Sequence, residues 1–246
     1  MRLVHAYLVL VDISGYTRFV TDRTLTLTHA EQIITDLINA VIDQARHPLI
    51  LNKLEGDAAL LYREAASDDV DAGRDVMSQV RSFFPAFEDC AKRLREDRRN
   101  CGCDACKSID SLSLKAFVHL GEFAIKQVRQ FEELAGEPVI LLHRLMKNAV
   151  ESHKYVLMTS AAADGAKLQK SVMQAHVEDV DGFGPQALWL TDSQHLPESH
   201  TTASPATMPT AASSRSNHYR HLPHVETSLW KTVRGWFGKG TSCPDA

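Results

Sequence analysis

Some segments of the chain have the apolar pattern of β-strands and others have apolar residues at helical spacing, which together predict an α+β fold. Residues 6–11 are apolar without a break, as in a strand buried on both faces, and the run ends at Asp12. Two shorter apolar runs, 49–54 and 58–62, flank Glu55-Gly56-Asp57. They predict a β-hairpin whose turn carries an acidic residue.

Three segments have apolar residues at helical spacing. The first runs from about 28 to 42 and opens with Thr28-His-Ala-Glu31, a capping-box pattern. The second covers 67–98 and contains Pro85, which should kink the helix or divide it. The third begins at Pro138 and continues to about Val150.

The remaining apolar segments predict three more strands. Residues 113–118 should form a strand that ends in a turn at 119–122, and 123–130 should return antiparallel. Residues 155–159 predict another strand. The resulting order, βαββαβ followed by further elements, predicts a ferredoxin-like α+β sandwich with its helices on one face of a mixed sheet.

Composition divides the chain after residue 191. We expect a domain over 1–191, a disordered linker rich in Ser, Thr and Pro over 192–225, and a final segment, 226–246, whose aromatic and basic residues have helical spacing. That segment would either lie on an anionic membrane surface or pack against the domain. The short, soon charged apolar run at the N-terminus is not that of a signal peptide, so a cytoplasmic protein is expected.

Charge and cysteine content narrow the choice of partners. A formal net charge of −4 over 246 residues does not favour nucleic acid as a partner. Cys101, Cys103 and Cys106, with Cys90, are candidate ligands of a structural Zn²⁺. Reduced surface thiols and a redox sensor are the alternatives.

Asp12 and Asp57 are the most informative polar residues. One ends a buried strand and the other occupies a hairpin turn, so neighbouring strands would bring their carboxylates together. Such a pair suits Mg²⁺ or Mn²⁺, which prefer oxygen ligands. Taken singly, however, each aspartate is also typical of a cap or a turn.

Motifs in the same order resemble those of class III adenylyl and guanylyl cyclases. The two acidic motifs are Asp12-Ile-Ser-Gly-Tyr-Thr-Arg-Phe19 and Lys53-Leu-Glu-Gly-Asp57. Val118-His-Leu-Gly-Glu122 and Gly136-Glu-Pro-Val139 follow, and the resemblance covers about 8–189. The usual motif pattern of these cyclases does not include the cysteine insert. The chain therefore resembles a divergent branch, a bacterial family of unknown function, more than the central cyclase family.

The resemblance implies a site shared by two protomers of a homodimer. Asp12, Asp57 and the backbone carbonyl of Ile13 would bind two Mg²⁺ or Mn²⁺ ions. Lys53 and Glu133 would bind the purine base, adenine in preference to guanine. Arg144 would contact the phosphates, and ATP would become cyclic AMP and pyrophosphate.

One position departs from the family pattern. Four residues before Arg144, where the family has its catalytic asparagine, stands Ile140, although Asn148 lies one turn beyond Arg144. Loss of one donor to developing charge lowers a rate by roughly a hundredfold or more without preventing binding. The alternatives are therefore a cyclase, a nucleotide-binding module without turnover, and a structural partner domain.

Overall fold

Strand β1 (Arg2–Ser14) is the centre of the fold, because it pairs antiparallel with a strand on each side. The structure, a computed structural model, describes residues 1–21, 27–66 and 69–198. β3 (Ala58–Glu64) pairs with residues 6–12 of β1, and β4 (Ser113–Val128) pairs with its whole length. The apolar run predicted as a doubly covered strand is buried throughout, which confirms that prediction.

Five further strands in the described ranges complete a mixed sheet. Their bounds are β2 (Ile50–Glu55), β5 (Phe131–Ala135), β6 (Tyr155–Thr159), β7 (Gln174–Val180) and β8 (Gly184–Thr191). The strand order is β2-β3-β1-β4-β6-β8-β7, and β5 pairs with the end of β4. Only the β4–β6 pair is parallel among the described strands. The predicted α+β class and the β2–β3 hairpin are confirmed.

Helices cover both faces of the sheet rather than one. Their bounds are α1 (Tyr16–Thr21), α2 (Leu27–Ile42), α3 (Val70–Asp97), α4 (Asp104–Lys107), α5 (Glu137–Leu145) and α6 (Ser160–Gly165). One face packs against α2, α3 and α6, with Leu37 and Phe83 at its core. The other packs against α5, whose Leu142 contacts the cluster that holds Leu8 and Phe117. The expectation of a single helical face was wrong because the apolar side of α5 covers the opposite side of β1 and β4.

β4 corrects the predicted turn at 119–122. The strand continues through Gly121, which pairs with Ala6. The turn comes later, at Arg129, whose φ is 57°. A Cβ on Gly121 would come within 2.9 Å of Pro138 Cγ, so this glycine allows α5 to approach the sheet rather than reversing the chain.

Helix boundaries also differ from the prediction. Thr28 lies inside α2 and is not its N-cap, whereas Asp69 caps α3 by accepting from Ala72 N–H. α3 continues through Pro85 as one helix. Its phenylalanines 83, 84 and 87 are buried, and their burial offsets the cost of a proline inside a helix, about 3 kcal/mol.

The fold continues beyond the expected boundary at 191. Leu196 is buried, and Arg81 of α3 donates to the carbonyls of Gln194 and Leu196 at 2.9 and 2.6 Å. Residues 192–198, expected in the linker, therefore pack against the domain. The rest of the predicted linker and the segment 226–246 lie outside the described residues.

None of the helices in the described ranges is both long enough and apolar enough to span a bilayer.

Candidate acidic and purine-binding site

The two acidic motifs meet at the end of β1. Asp12 is in register with Ala58, the first residue of β3, and Ile13 N–H donates to the Asp57 carbonyl at 3.2 Å. Gly56, which precedes Asp57 in the two-residue turn, has a φ of 70° that glycine adopts without strain. The pairing of β1 with β3 therefore brings together two aspartates that are 45 positions apart in the chain.

Both carboxylates are partly buried, and the charged form of each is disfavoured. Burial and the neighbouring charge of Asp57 raise the pKa of Asp12 to about 6, although Lys115 acts in the opposite direction. Burial, with a smaller contribution from Glu31, raises the pKa of Asp57 against a backbone hydrogen bond that lowers it. A cation bound by both groups would favour their charged forms, so this donor set fits a hard divalent ion. The Ile13 side chain is buried, which leaves its backbone carbonyl as the candidate ligand.

Two charged residues near this acidic pair, Lys115 and Glu31, were not predicted to belong to the site. Lys115 is opposite Asp12 on β4, and its Nζ lies 5.6 Å from the centroid of the Tyr155 ring. Glu31 of α2 accepts a hydrogen bond from the Tyr16 hydroxyl at 3.3 Å. In the sequence Lys115 is simply a polar residue that alternates with apolar ones, and only the pairing of β1 with β4 places it beside Asp12.

Lys53 and Glu133 are in direct contact. Lys53 Nζ lies 3.3 Å from Glu133 Oε2 and 3.3 Å from Glu55 Oε1. Burial lowers the pKa of Lys53, but hydrogen bonds to Glu55 and Glu133 outweigh it and raise that pKa. The structure thus joins the two residues expected to bind the base, across the gap between β2 and β5.

Glu55 connects this pair to α5. Its Oε2 lies 2.8 Å from His143 Nε2, and His143 Nδ1 lies 2.7 Å from the Val139 carbonyl. Glu55 and His143 had no predicted role, because no local sequence pattern shows that β2 faces α5. The contact fixes the hairpin against the helix that carries Arg144.

Arg144 contacts the β7–β8 turn. It donates to Asp181 Oδ2 at 2.7 Å, and its guanidinium lies 5.7 Å from the Phe183 ring centroid. Its described polar contacts within the chain do not include Asp12 or Asp57. The structure therefore does not unite the predicted phosphate-binding residue with the acidic pair in one protomer.

Ile140 and Asn148 differ in their environments. Ile140 on α5 is 51% exposed. Asn148 Nδ2 donates to the Leu145 carbonyl at 2.7 Å and to the Tyr155 hydroxyl at 2.8 Å, while its Oδ1 accepts from Val150 N–H. These bonds occupy both the nitrogen and the oxygen of the Asn148 amide within its own chain.

His119 of the Val118–Glu122 motif lies inside the fold. Its Nδ1 lies 3.0 Å from Thr159 Oγ1. Burial and the nearby His5 lower the pKa of His119 to about 4, so its ring is neutral at physiological pH. This histidine supports the packing of β4 against β6.

The four cysteines in the described ranges separate into two groups. Cys101, Cys103 and Cys106 lie together between α3 and β4, with Cys106 inside α4. Cys90 belongs to the core of α3, and its thiol donates to the Asp36 carbonyl at 3.5 Å. The structure therefore does not bring Cys90 to the other three.

Cyclase domains of known structure share this fold. The adenylyl cyclase CyaB from P. aeruginosa is 16% identical with a TM-score of 0.58, over 78% of this chain and 95% of that one. The guanylyl cyclase Cya2 is 15% identical with a TM-score of 0.60, over 77% and 92%. The guanylate cyclase domain of RhGC from Catenaria anguillulae, in complex with GTP, is 15% identical with a TM-score of 0.52, over 78% and 99%.

Sequence comparison identifies nearer relatives. Residues 34–155 match the model of a family described as a protein of unknown function, DUF2652. The uncharacterized protein Rv2561/Rv2562 of Mycobacterium tuberculosis (strain ATCC 25618 / H37Rv) is 33% identical over 162 residues, which are 65% of this chain and 73% of that protein. The chain therefore belongs to the same family as this mycobacterial protein, and it has the fold of the nucleotidyl cyclase domains.

Proposed function

We propose that the chain is a homodimeric nucleotidyl-cyclase-type enzyme that binds ATP with two divalent cations and converts it to cyclic AMP and pyrophosphate. The observation that carries the proposal is the neighbouring position of Asp12 and Asp57 at the end of β1. Two partly buried carboxylates that repel each other form a site for Mg²⁺ or Mn²⁺. When bound, such ions activate a hydroxyl nucleophile and neutralise a phosphate leaving group.

Lys53 and Glu133 supply a donor and an acceptor for the base. They lie 3.3 Å apart, so a purine edge that replaced their mutual contact would meet both groups side by side. Adenine offers an amino donor next to ring-nitrogen acceptors, which such a pair would satisfy. Glu55 and His143 hold Lys53 and the hairpin in place.

A second copy of the chain completes the proposed site. In the cyclase family that the motifs resemble, the arginine and the metal-binding acids come from different protomers, and Arg144 contacts Asp181 rather than the acids of its own chain. The elements that carry Lys53, Glu133 and Arg144 also present exposed apolar side chains, namely Leu51, Leu54, Phe131 and Ile140. Such a surface favours association with a partner.

A second candidate function is nucleotide binding without turnover. Ile140 favours it, because isoleucine donates no hydrogen bond and the amide of Asn148 is already occupied. In that case the chain would hold ATP or GTP as a signal. Turnover and binding assays distinguish the two functions.

The test of the proposal is cyclic nucleotide formation by the purified full chain with Mn²⁺ or Mg²⁺ and either ATP or GTP. We expect slow formation of cyclic AMP that Asp57→Ala abolishes, because the variant loses one carboxylate of the metal pair. We expect Ile140→Asn to increase kcat by about a hundredfold, because it restores a donor to the developing charge.

Asp110→Ala is the matched control, since Asp110 is an exposed aspartate paired with Arg95, and this variant should keep wild-type activity. Product made equally by wild type and Asp57→Ala would contradict the proposal. If even Ile140→Asn is inactive but ATP raises the melting temperature, the binding function holds. If ATP neither reacts nor stabilises, both candidates fail.

Asp12 gives a pH-dependent prediction. The folded pKa of about 6 lies above the ordinary value of 3.8, so the folded state holds this proton more tightly than the unfolded chain. The contribution of this proton to the free energy of unfolding is fully present below about pH 4 and is lost as the pH rises to about 6. Without added divalent cation, Asp12→Asn should therefore be more stable than wild type at pH 7, by about 1–3 kcal/mol, and not at pH 4.

Urea unfolding at the two pH values checks this difference. Added Mg²⁺ should stabilise wild type and not Asp12→Asn, because only wild type keeps both carboxylates. A stability difference that is the same at pH 4 and pH 7 would show that the charge of Asp12 is not the cause.

If the proposed dimer forms, exposed apolar residues near Lys53 and Glu133 should contribute to dimerisation, and exposed apolar residues elsewhere should not. Phe131 on β5 is 60% exposed, and Val177 on β7 is 69% exposed. Phe131→Arg should weaken dimerisation about tenfold or more, because it replaces an aromatic contact worth about 1.5–3 kcal/mol with a charge. Val177→Arg should leave the dimer intact. Sedimentation equilibrium measures both, and a wild-type monomer at every concentration would exclude the shared site.

A further inference from the structure

Four side chains of types that can bind metals, from separate segments of the chain, lie close together at α2. They are His29 of α2, Cys101 and Cys103 after α3, and Cys106 of α4, and their ligand atoms all lie within 4.8 Å of one another. The three sulfur atoms lie 3.6, 3.5 and 3.8 Å from His29 Nδ1. The sequence alone did not indicate His29, because it lies 72 positions before Cys101.

Hydrogen bonding does not account for this convergence. One ring nitrogen can donate or accept a single hydrogen, yet three sulfur atoms surround Nδ1 of His29. A tetrahedral Zn²⁺ with bonds of about 2.3 Å to sulfur and about 2.05 Å to nitrogen requires S···S separations of about 3.8 Å and S···N separations of about 3.6 Å. The S···N distances match this geometry, and the Cys101–Cys103 sulfur separation of 3.5 Å is close to it.

The surroundings of the sulfur atoms also suit thiolate ligands. Cys103 Sγ accepts a hydrogen bond from Cys106 N–H, the kind of outer contact that stabilises a metal-bound sulfur. Cys106 is buried, and the other three residues are partly buried. Cys90 is not available, because its thiol faces the Asp36 carbonyl.

We propose that His29, Cys101, Cys103 and Cys106 bind one Zn²⁺ as a closed Cys₃His site. Soft sulfur ligands select zinc over the magnesium or manganese suited to Asp12 and Asp57. Four protein ligands leave no position for water or substrate, so the ion has a structural role. This site is independent of nucleotide and separate from the acidic pair.

The zinc site joins α2 to the segment between α3 and β4. Two residues beyond His29, Glu31 bonds to Tyr16 and contributes to the raised pKa of Asp57. On the other side, the Ser111 carbonyl would lie 2.9 Å from a Cβ on Gly15, so the same segment packs against the turn that follows Asp12. Both segments that the zinc ion joins, α2 and the segment between α3 and β4, therefore support the acidic site. This consequence rests on the proposed function, but the zinc site itself does not.

The test is the zinc content of the full chain purified without chelator or affinity tag. Wild type and Cys90→Ser should each hold about one Zn²⁺ per chain, and His29→Ala and Cys103→Ser should lose most of it. His29→Cys should keep the ion, because a fourth thiolate replaces the imidazole. This variant separates a ligand role from a packing role, since cysteine does not fill the space of histidine.

Cobalt substitution gives a second readout. Co²⁺-loaded wild type should show the visible bands of tetrahedral thiolate coordination, and His29→Cys should shift them to lower energy as sulfur replaces nitrogen. The proposal is overturned if reduced wild-type protein binds neither Zn²⁺ nor Co²⁺, or if His29→Ala keeps the metal that Cys90→Ser loses. None of these results depends on whether the chain binds ATP.

Discussion

The double antiparallel pairing of β1 is the constraint on which the rest of the molecule depends. β3 and β4 bond to its two edges, so the side chains of residues 6–11 are buried between helices on both faces. The same ladders determine what stands beside Asp12: Ala58 and the Asp57 turn on one side, and Lys115 on the other. The cost of holding a partly buried acid there is reflected in the raised pKa of Asp12.

Two metal sites of different chemistry would lie at this end of the domain. Oxygen ligands at Asp12 and Asp57 suit a hard ion that accompanies a nucleotide, whereas three sulfurs and an imidazole suit zinc. Residues 29–31 of α2 contribute to both, through His29 and Glu31. A structural ion that fixes the start of α2 would hold Glu31 in place beside the acidic pair.

The sequence predicted those parts of the fold that local patterns determine. Unbroken or alternating apolar runs identified β1, the β2–β3 hairpin and β6, and apolar residues at helical spacing identified α2. Local patterns do not show which strands or side chains that are distant in sequence contact each other. A glycine beside polar residues predicts a turn at Gly121, but the residue lies within β4, where the lack of a side chain leaves room for Pro138. His29 was missed as a companion of the cysteines for the same reason. The pairing of Lys53 with Glu133 was implied only by family resemblance, since no spacing rule joins residues 80 positions apart.

The central claim is that Asp12 and Asp57 hold divalent cations together with a nucleotide. The most direct measurement is an electron paramagnetic resonance titration of Mn²⁺ into zinc-loaded protein, with and without ATP. We expect wild type to reduce the signal of free Mn²⁺, and to do so with ATP more strongly than ATP alone does. The double variant Asp12→Asn/Asp57→Asn should show no binding beyond that of ATP alone. Equal Mn²⁺ binding by wild type and the double variant would contradict the claim.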